Sequence, residues 1–312
     1  MNFTRTNTSR TIPDSRHVQV LCVGHASYDL VFSVSHHPEA DEKISAESLL
    51  SCGGGPAANA AVTVARLGCK AAFAGYLGND LYGQKHLEEL QQEQVSTTLI
   101  VRGSSPTPLS AVLIKPDGRR ALINYKGDTE PLPTNSIDFS AMMPDVILFD
   151  GHEPALSEPL CAWAKSRNIP TVLDAGSLHE GTNALMFSVD FLVCSEKFAR
   201  QWLQADDPER ALNLLAERSP AVVITLGERG LIWKQGVESG SFPAFAVNAV
   251  DTTGAGDAFH GAFAAELARR RSWLEILRHA SAAGALCCTK PGARPGIPDR
   301  EKLELFLKNQ KP

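Results

Sequence analysis

Residues 146–149, 171–173, 191–193 and 221–226 are apolar, strand-length runs, and the segments between them, such as 156–167, carry helical spacing. A strand with one wet face alternates apolar and polar residues, so a run without alternation is covered on both faces. Helices that carry the chain from one such strand to the next make the strands parallel and supply both covers. This pattern selects an α/β fold with a mostly parallel central sheet flanked by helices. At 312 residues the chain suits one large domain or two small ones. No repeat, low-complexity block or linker divides it, so one domain over 17–312 is expected.

Ligands of open α/β sheets bind beyond the carboxyl ends of the strands. Four segments fall there: Asp150-Gly151-His152, Asp174-Ala175-Gly176, Ser195-Glu196 and Thr225-Leu226-Gly227. A fifth, Asp251-Thr252-Thr253-Gly254-Ala255-Gly256-Asp257-Ala258-Phe259, follows a β-like run at 245–250. It opens a helical pattern in which Phe259, Phe263 and Leu267 recur at i, i+4, i+8, and Arg269, Arg270 and Arg271 mark the end. The first amides of a helix lack internal partners and carry partial positive charge. Gly254 and Gly256 let an anion, most often a phosphate, approach them. Asp257 would repel that phosphate. Its presence makes sense if it takes a proton from a hydroxyl attacking the phosphorus. The plainer alternative is a structural loop with Asp257 as helix cap, and the loop taken alone leaves both open.

The amino-terminal half is less regular. Residues 18–24 form a short apolar run, and Asp29 just beyond it reads most simply as a turn residue. Residues 31–35 and 44–50 read as two short strands around a solvated His36-His37-Pro38 loop. Gly53-Gly54-Gly55-Pro56-Ala57-Ala58-Asn59 then opens a helix of small residues that ends before Gly68. It is not a dinucleotide turn, because Ala58 stands at the third glycine position. Residues 109–115 and 119–125 form a hairpin around Pro116-Asp117-Gly118.

A net charge of −5 argues against a nucleic-acid partner, and no 18-residue apolar run suggests a membrane span. Residues 1–16 read as a flexible polar tail without the apolar core of a signal peptide. Seven scattered cysteines with no C-x-x-C pair read as reduced, buried thiols of a cytoplasmic protein, not as a zinc site.

The run from Asp251 to Phe259 resembles the signature of the PfkB/ribokinase family of carbohydrate kinases, and the resemblance extends from Val18 to Asp299. It implies a ribokinase-like fold with a small β-sheet lid formed by about 30–50 and 108–126. It also implies an ATP-dependent sugar kinase with Mg²⁺ bridging the phosphates, and a homodimer through the lid. Asp257 is then the base, with Gly254, Ala255 and Gly256 as anion hole. Asp29, Gly54, Gly55 and Asn59 hold the sugar. Thr225, Gly227 and Ser195 contact the nucleotide, while small residues including Ala282 and Gly284 form a wall against adenine. Pro291-Gly292-Ala293 and Gly296-Ile297-Pro298 match the closing loop, and Asp251 and Thr253 match the oxygens that hold a monovalent cation such as K⁺ in some members.

Two departures stand out. Ser195-Glu196-Lys197-Phe198 replaces the family's Asn-x-x-Glu, which serves magnesium and phosphate. Segments 53–58, 123–125 and 288–292 look most like the ketose-kinase branch that includes sulfofructose kinase, where a Lys, an Asn and an Arg grip an anionic sugar tail. Lys43 and Asn124 match two of these, but His152 stands in place of the Arg. That swap weakens the sulfosugar assignment, and an uncharged ketose is the expected substrate, with another phosphorylatable sugar left open. A nucleoside kinase of the same fold and a catalytically silent sugar-binding protein are the rivals.

Overall fold

The computed structural model describes residues 17–116 and 118–310; the expected tail, 1–16, and the turn residue Asp117 lie outside them. The chain begins β1 (His17–Val23), β2 (Ser27–Ser33), β3 (Ser48–Gly54), α1 (Pro56–Arg66), β4 (Ala71–Gly78), α2 (Leu81–Gln92) and β5 (Ser96–Gly103). The hairpin β6 (Leu109–Ile114) and β7 (Arg120–Tyr125) follows. Regular alternation comes next: β8 (Met143–Phe149), α3 (Pro154–Ser166), β9 (Thr171–Ala175), α4 (Glu180–Leu185), β10 (Phe191–Ser195), α5 (Glu196–Leu203), α6 (Pro208–Ala216) and β11 (Ala221–Thr225). The chain closes with β12 (Leu231–Gln235), β13 (Glu238–Phe242), α7 (Ala255–Ala268), α8 (Trp273–Cys287), α9 (Ala293–Gly296) and α10 (Arg300–Asn309).

The large sheet has nine strands in the order β13-β12-β11-β10-β9-β8-β1-β4-β5. Pairing is parallel from β5 to β11, and β12 and β13 add an antiparallel edge. Successive side chains enter opposite cores, as period two requires. Along β8, Val146 and Leu148 join the core under α1, α7 and α8, while Ile147 and Phe149 join the one under α3, α5 and α6.

Helix α7 lies between α1 and α8 and is buried continuously from Ala258 to Glu266. Where its backbone comes closest to a neighbour such a helix needs a small residue. A Cβ on Gly261 would stand 2.6 Å from the Ala60 carbonyl oxygen, so α1 and α7 touch backbone to backbone. That approach brings Asn59 opposite Asp257.

The small sheet, β3-β2-β6-β7, has two unlike faces. Residues directly opposite across strands share a face. One face carries Asp29, Ser110 and Asn124 in one row, then Leu50, Val31, Val112 and Leu122, then Arg120. The other carries Leu49, Ile123 and Tyr125, all exposed.

Three expectations are corrected. Asp29 lies inside β2 rather than in a turn, and β3 begins at Ser48 and not at 44. The glycine turn is itself the end of a strand, with Ser27 opposite Gly54, so its pairing hides behind residues of low β-propensity. Residues 245–250 form no strand: the antiparallel pair β12 and β13 has completed the sheet edge, and Pro243 follows it.

Replacing Gly261 with Val should destabilise the protein by about 1–3 kcal/mol, the usual cost of overpacking. Urea unfolding would read it; a midpoint equal to that of the parent would show that α1 and α7 are not packed this closely.

Candidate active site

Gly254 caps α7 at φ 76°, a conformation in which a side chain is strained, and a Cβ there would lie 2.4 Å from that of Ala293. The closing loop therefore presses on the start of α7. Asp257, in the first turn, accepts a 2.7 Å hydrogen bond from Asn59 Nδ2. Burial raises its pKa, opposed first by that bond and then by His260. Asp29 is 6 % exposed, accepts from Ser27 Oγ at 3.0 Å, and lies so close to Gly54 that a Cβ there would meet its carboxyl at 2.3 Å. Burial raises its pKa as well.

Two cavities meet at this point. The smaller, about 190 Å³, is lined by Asp150, Asp174, Asp257, Ser195 and the histidines His152, His179 and His260, with no Lys or Arg. The larger, about 620 Å³, runs between β11, the 244–249 segment and α8. Thr225 and Gly256 border both.

Asp150, His152 and Asp174, expected beyond the strand ends, shape the smaller cavity together with His179 and His260, which sequence reasoning missed. Asp150 accepts from the amides of His25 (2.7 Å), His152 (2.9 Å) and Ala57 (3.1 Å), tying β8 to the start of α1. His152 stacks on His179 at 4.7 Å and faces His25 at 5.1 Å. Burial, with His152 adding to it, lowers the pKa of His25 to about 3 and lowers that of His179. Asp174 pairs with His260 at 3.2 Å; burial raises its pKa to about 7, with Asp257 and Asp150 adding to the rise and His260 opposing it. His25, His179 and His260 sit in no motif, and only the folded chain assembles them.

Thr225, Gly227 and Gly284 line the larger cavity, joined by Ser281, Ala285 and Cys288 at helical spacing. Ala282 does not. It is fully buried in the core on the opposite side of α8, so the expected wall loses it. Ser195 caps α5, accepting from Phe198 N at 3.0 Å and donating to Gly176 O at 2.8 Å, while Glu196 pairs with Arg229. Asn124 shares the face of Asp29 but is exposed, and Lys43 is exposed in the loop before β3; like the more deeply buried Asp29, Gly54, Asn59 and Gly55, neither is in the lining of the two cavities.

The residues matched to a monovalent cation are already engaged. Asp251 Oδ1 accepts from Thr253 N (2.9 Å) and Oγ1 (2.7 Å), and Oδ2 from Gly292 N (2.7 Å). Arg120 of β7 donates to Thr253 Oγ1 at 2.5 Å and stands 3.6 Å from Asp251, supplying the positive charge. Asp251 and Thr253 are thereby held to the closing loop and to the charge of Arg120. Among the described residues no group of three or more His, Cys, Asp and Glu side chains could hold a metal, all seven cysteines are free, and no helix is long and apolar enough to cross a membrane.

Residues 18–300 match the pfkB family carbohydrate kinases. The chain belongs to that family. The enzyme expected from the sequence, an ATP-dependent carbohydrate kinase, has the activity of pfkB family members. The chain is 28 % identical to ribokinase of Bacillus subtilis over 293 residues, covering 92 % of this chain and 99 % of that one. It is 28 % identical to fructokinase-2 of Zea mays over 274 residues, covering 78 % and 82 %. The structure of Arabidopsis thaliana ribokinase complexed with ribose and ATP superposes with a TM-score of 0.82 at 26 % identity, covering 94 % of this chain and all of that one. The fold is thus ribokinase-like. The sulfofructose kinase branch is not singled out among these relatives.

Glu153, which follows His152, is 6 % exposed and accepts from Leu132 N at 2.5 Å. Burial raises its pKa to about 7. A raised carboxyl binds its proton more tightly folded than unfolded, so stability falls as pH rises from about 4.3 toward that value. Glu153→Gln should gain on the parent between pH 4 and pH 8, on the order of 2 kcal/mol. Equal pH dependence of thermal unfolding in both proteins would contradict the burial argument.

Proposed function

We propose that this enzyme transfers the γ-phosphate of ATP to a hydroxyl of an uncharged sugar, a ketose. The lining of the smaller cavity carries this proposal. Three carboxylates and the imidazole of His179, whose pKa burial lowers, line it without Lys or Arg among the described residues, a lining that disfavours an anionic sugar and suits hydroxyls. ATP occupies the larger cavity, adenine against Ser281, Gly284 and Ala285, with Thr225 and Gly227 along the nucleotide. Its phosphates reach the amides of Gly254, Ala255 and Gly256, where charge developing on the transferred group is stabilised.

Asp29 and Asn59 hold sugar hydroxyls beside the backbone of Gly54 and Gly55, and His152 adds a further polar contact. Asp257 accepts the proton of the attacking hydroxyl, its raised pKa bringing its basicity toward working pH. Asp174 and Ser195, both on the smaller cavity, would hold Mg²⁺, which would supply positive charge to the phosphates; burial and the neighbouring Asp257 raise the pKa of Asp174, and a cation there would offset that charge. The small sheet serves as a lid that keeps water from the phosphate, latched by Arg120 on Thr253. Its outer face, with Ile123 67 % and Leu49 58 % exposed, suits a second copy of the chain in a homodimer.

A panel of fructose, ribose, a sulfonated ketose, a phosphorylated ketose and a nucleoside should give the highest kcat/KM with fructose. His152→Arg should shift the ratio toward the anionic ketoses by about fivefold or more, since Arg adds a fixed charge and a fork of donors. Preference of the parent for an anionic sugar, ribose or a nucleoside would overturn the assignment.

A further inference from the structure

Arg294, in the closing loop, is 2 % exposed, and no expectation from the sequence gave it a role. Burying a guanidinium is costly unless its donors are met. Nε donates to Asn59 Oδ1 at 3.2 Å, and Nη2 reaches His86 Nε2 at 2.6 Å. Nη1 stands 2.9 Å from Glu89 Oε1, close enough for the charges to pair although the N–H is not aimed at the oxygen. Glu89 Oε2 in turn accepts from Gly53 N at 2.6 Å, and a Cβ on Gly53 would lie 2.5 Å from Nη1. The guanidinium therefore lies directly beneath the glycine turn that opens α1.

Arginine only donates, and an ionised carboxylate only accepts. Between them, the Asn59 amide has one orientation that works: Oδ1 toward Arg294 and Nδ2 toward Asp257. Rotated by half a turn, it would set two donors against each other and turn an oxygen on the carboxylate. We infer that Arg294 is a positioning residue that locks the Asn59 amide so that its N–H is always presented to Asp257. The chain Glu89–Arg294–Asn59–Asp257 then joins the closing loop, the sugar turn and the base in one buried network. A plain staple of the closing loop is the competing role, since Arg66 also holds Arg294 O and Ile297 O.

The proposal rests on Asp257 being the base of the proposed reaction. The other charged groups facing Asp257 are His260 on its own helix, Asp150 just beyond β8, Asp174 on β9, Asp29 on β2 and Arg120 on β7. Arg294→Lys keeps the positive charge beside Glu89 and Asp29 but loses the Nε–H that reaches Asn59. A hydrogen bond to the ionised form lowers an acid's pKa, so weakening it raises the pKa and more alkaline solution is needed to ionise the base.

The test is the pH dependence of kcat with ATP and fructose, alongside carboxyl-carbon NMR titration of Asp257 in the ligand-free protein. In Arg294→Lys the acidic limb and the titration should both rise by about one pH unit, the size of one hydrogen bond to a carboxylate, with the alkaline plateau kept within a few-fold. Asn59→Ala should shift the titration likewise, and the double variant should shift it no further, because both act through one bond. An unmoved titration with a lowered melting temperature would leave Arg294 a staple only, and additive shifts would also overturn the proposal. Absence of sugar phosphorylation by the parent would remove the kinase assignment, while the NMR titration would still decide what Arg294 does.

Discussion

The 2.7 Å hydrogen bond between Asn59 and Asp257 depends on two helices meeting without side chains between them. Gly261 against the Ala60 carbonyl sets that distance, and Gly254 against Ala293 sets the start of the same helix. Both are close approaches that one methyl group would spoil. The centre is thus fixed by close packing of α7 on its neighbours, which suits catalysis that relies on preorganisation. The cavities, the closing loop and the small sheet are all arranged around that point.

The electrostatics follow from the same packing. Four carboxyls, on Asp29, Asp150, Asp174 and Asp257, gather where the strands end, and burial raises three of them: Asp29, Asp174 and Asp257. His260 offsets part of the charge on Asp174, and Arg120 crosses from the small sheet to Asp251. In the proposed reaction the phosphates of the nucleotide would meet helix amides, while the other cavity offers carboxylates and the imidazole of His179, whose pKa burial lowers; the two cavities share Gly256 and Thr225.

The alternation of apolar runs was legible because parallel strands buried on both faces leave no other pattern, and β8 to β11 appear where it placed them. The run from Asp251 to Phe259, taken alone, left a helix cap and an anion turn both open, and its resemblance to the family signature decided between them; the family match over 18–300 includes it. Asp29 was misplaced when read without the family resemblance: its strand is polar and ends on glycines, so period and propensity said little. Ala282 is the member of the small-residue run that helical phase turns into the core, whereas Ser281, Gly284 and Ala285 line the larger cavity. His25, His179, His260 and Arg294 carry no local signal. Arg294 meets Asn59 across 235 positions, a distance that only the tertiary fold closes.

The most direct measurement of the central claim is turnover and nucleotide binding in Asp257→Asn, which keeps size and removes basicity. The account predicts ATP affinity close to that of the parent and a kcat lowered by roughly 10²–10⁴-fold, the worth of a general base. Turnover within a few-fold of the parent would contradict it.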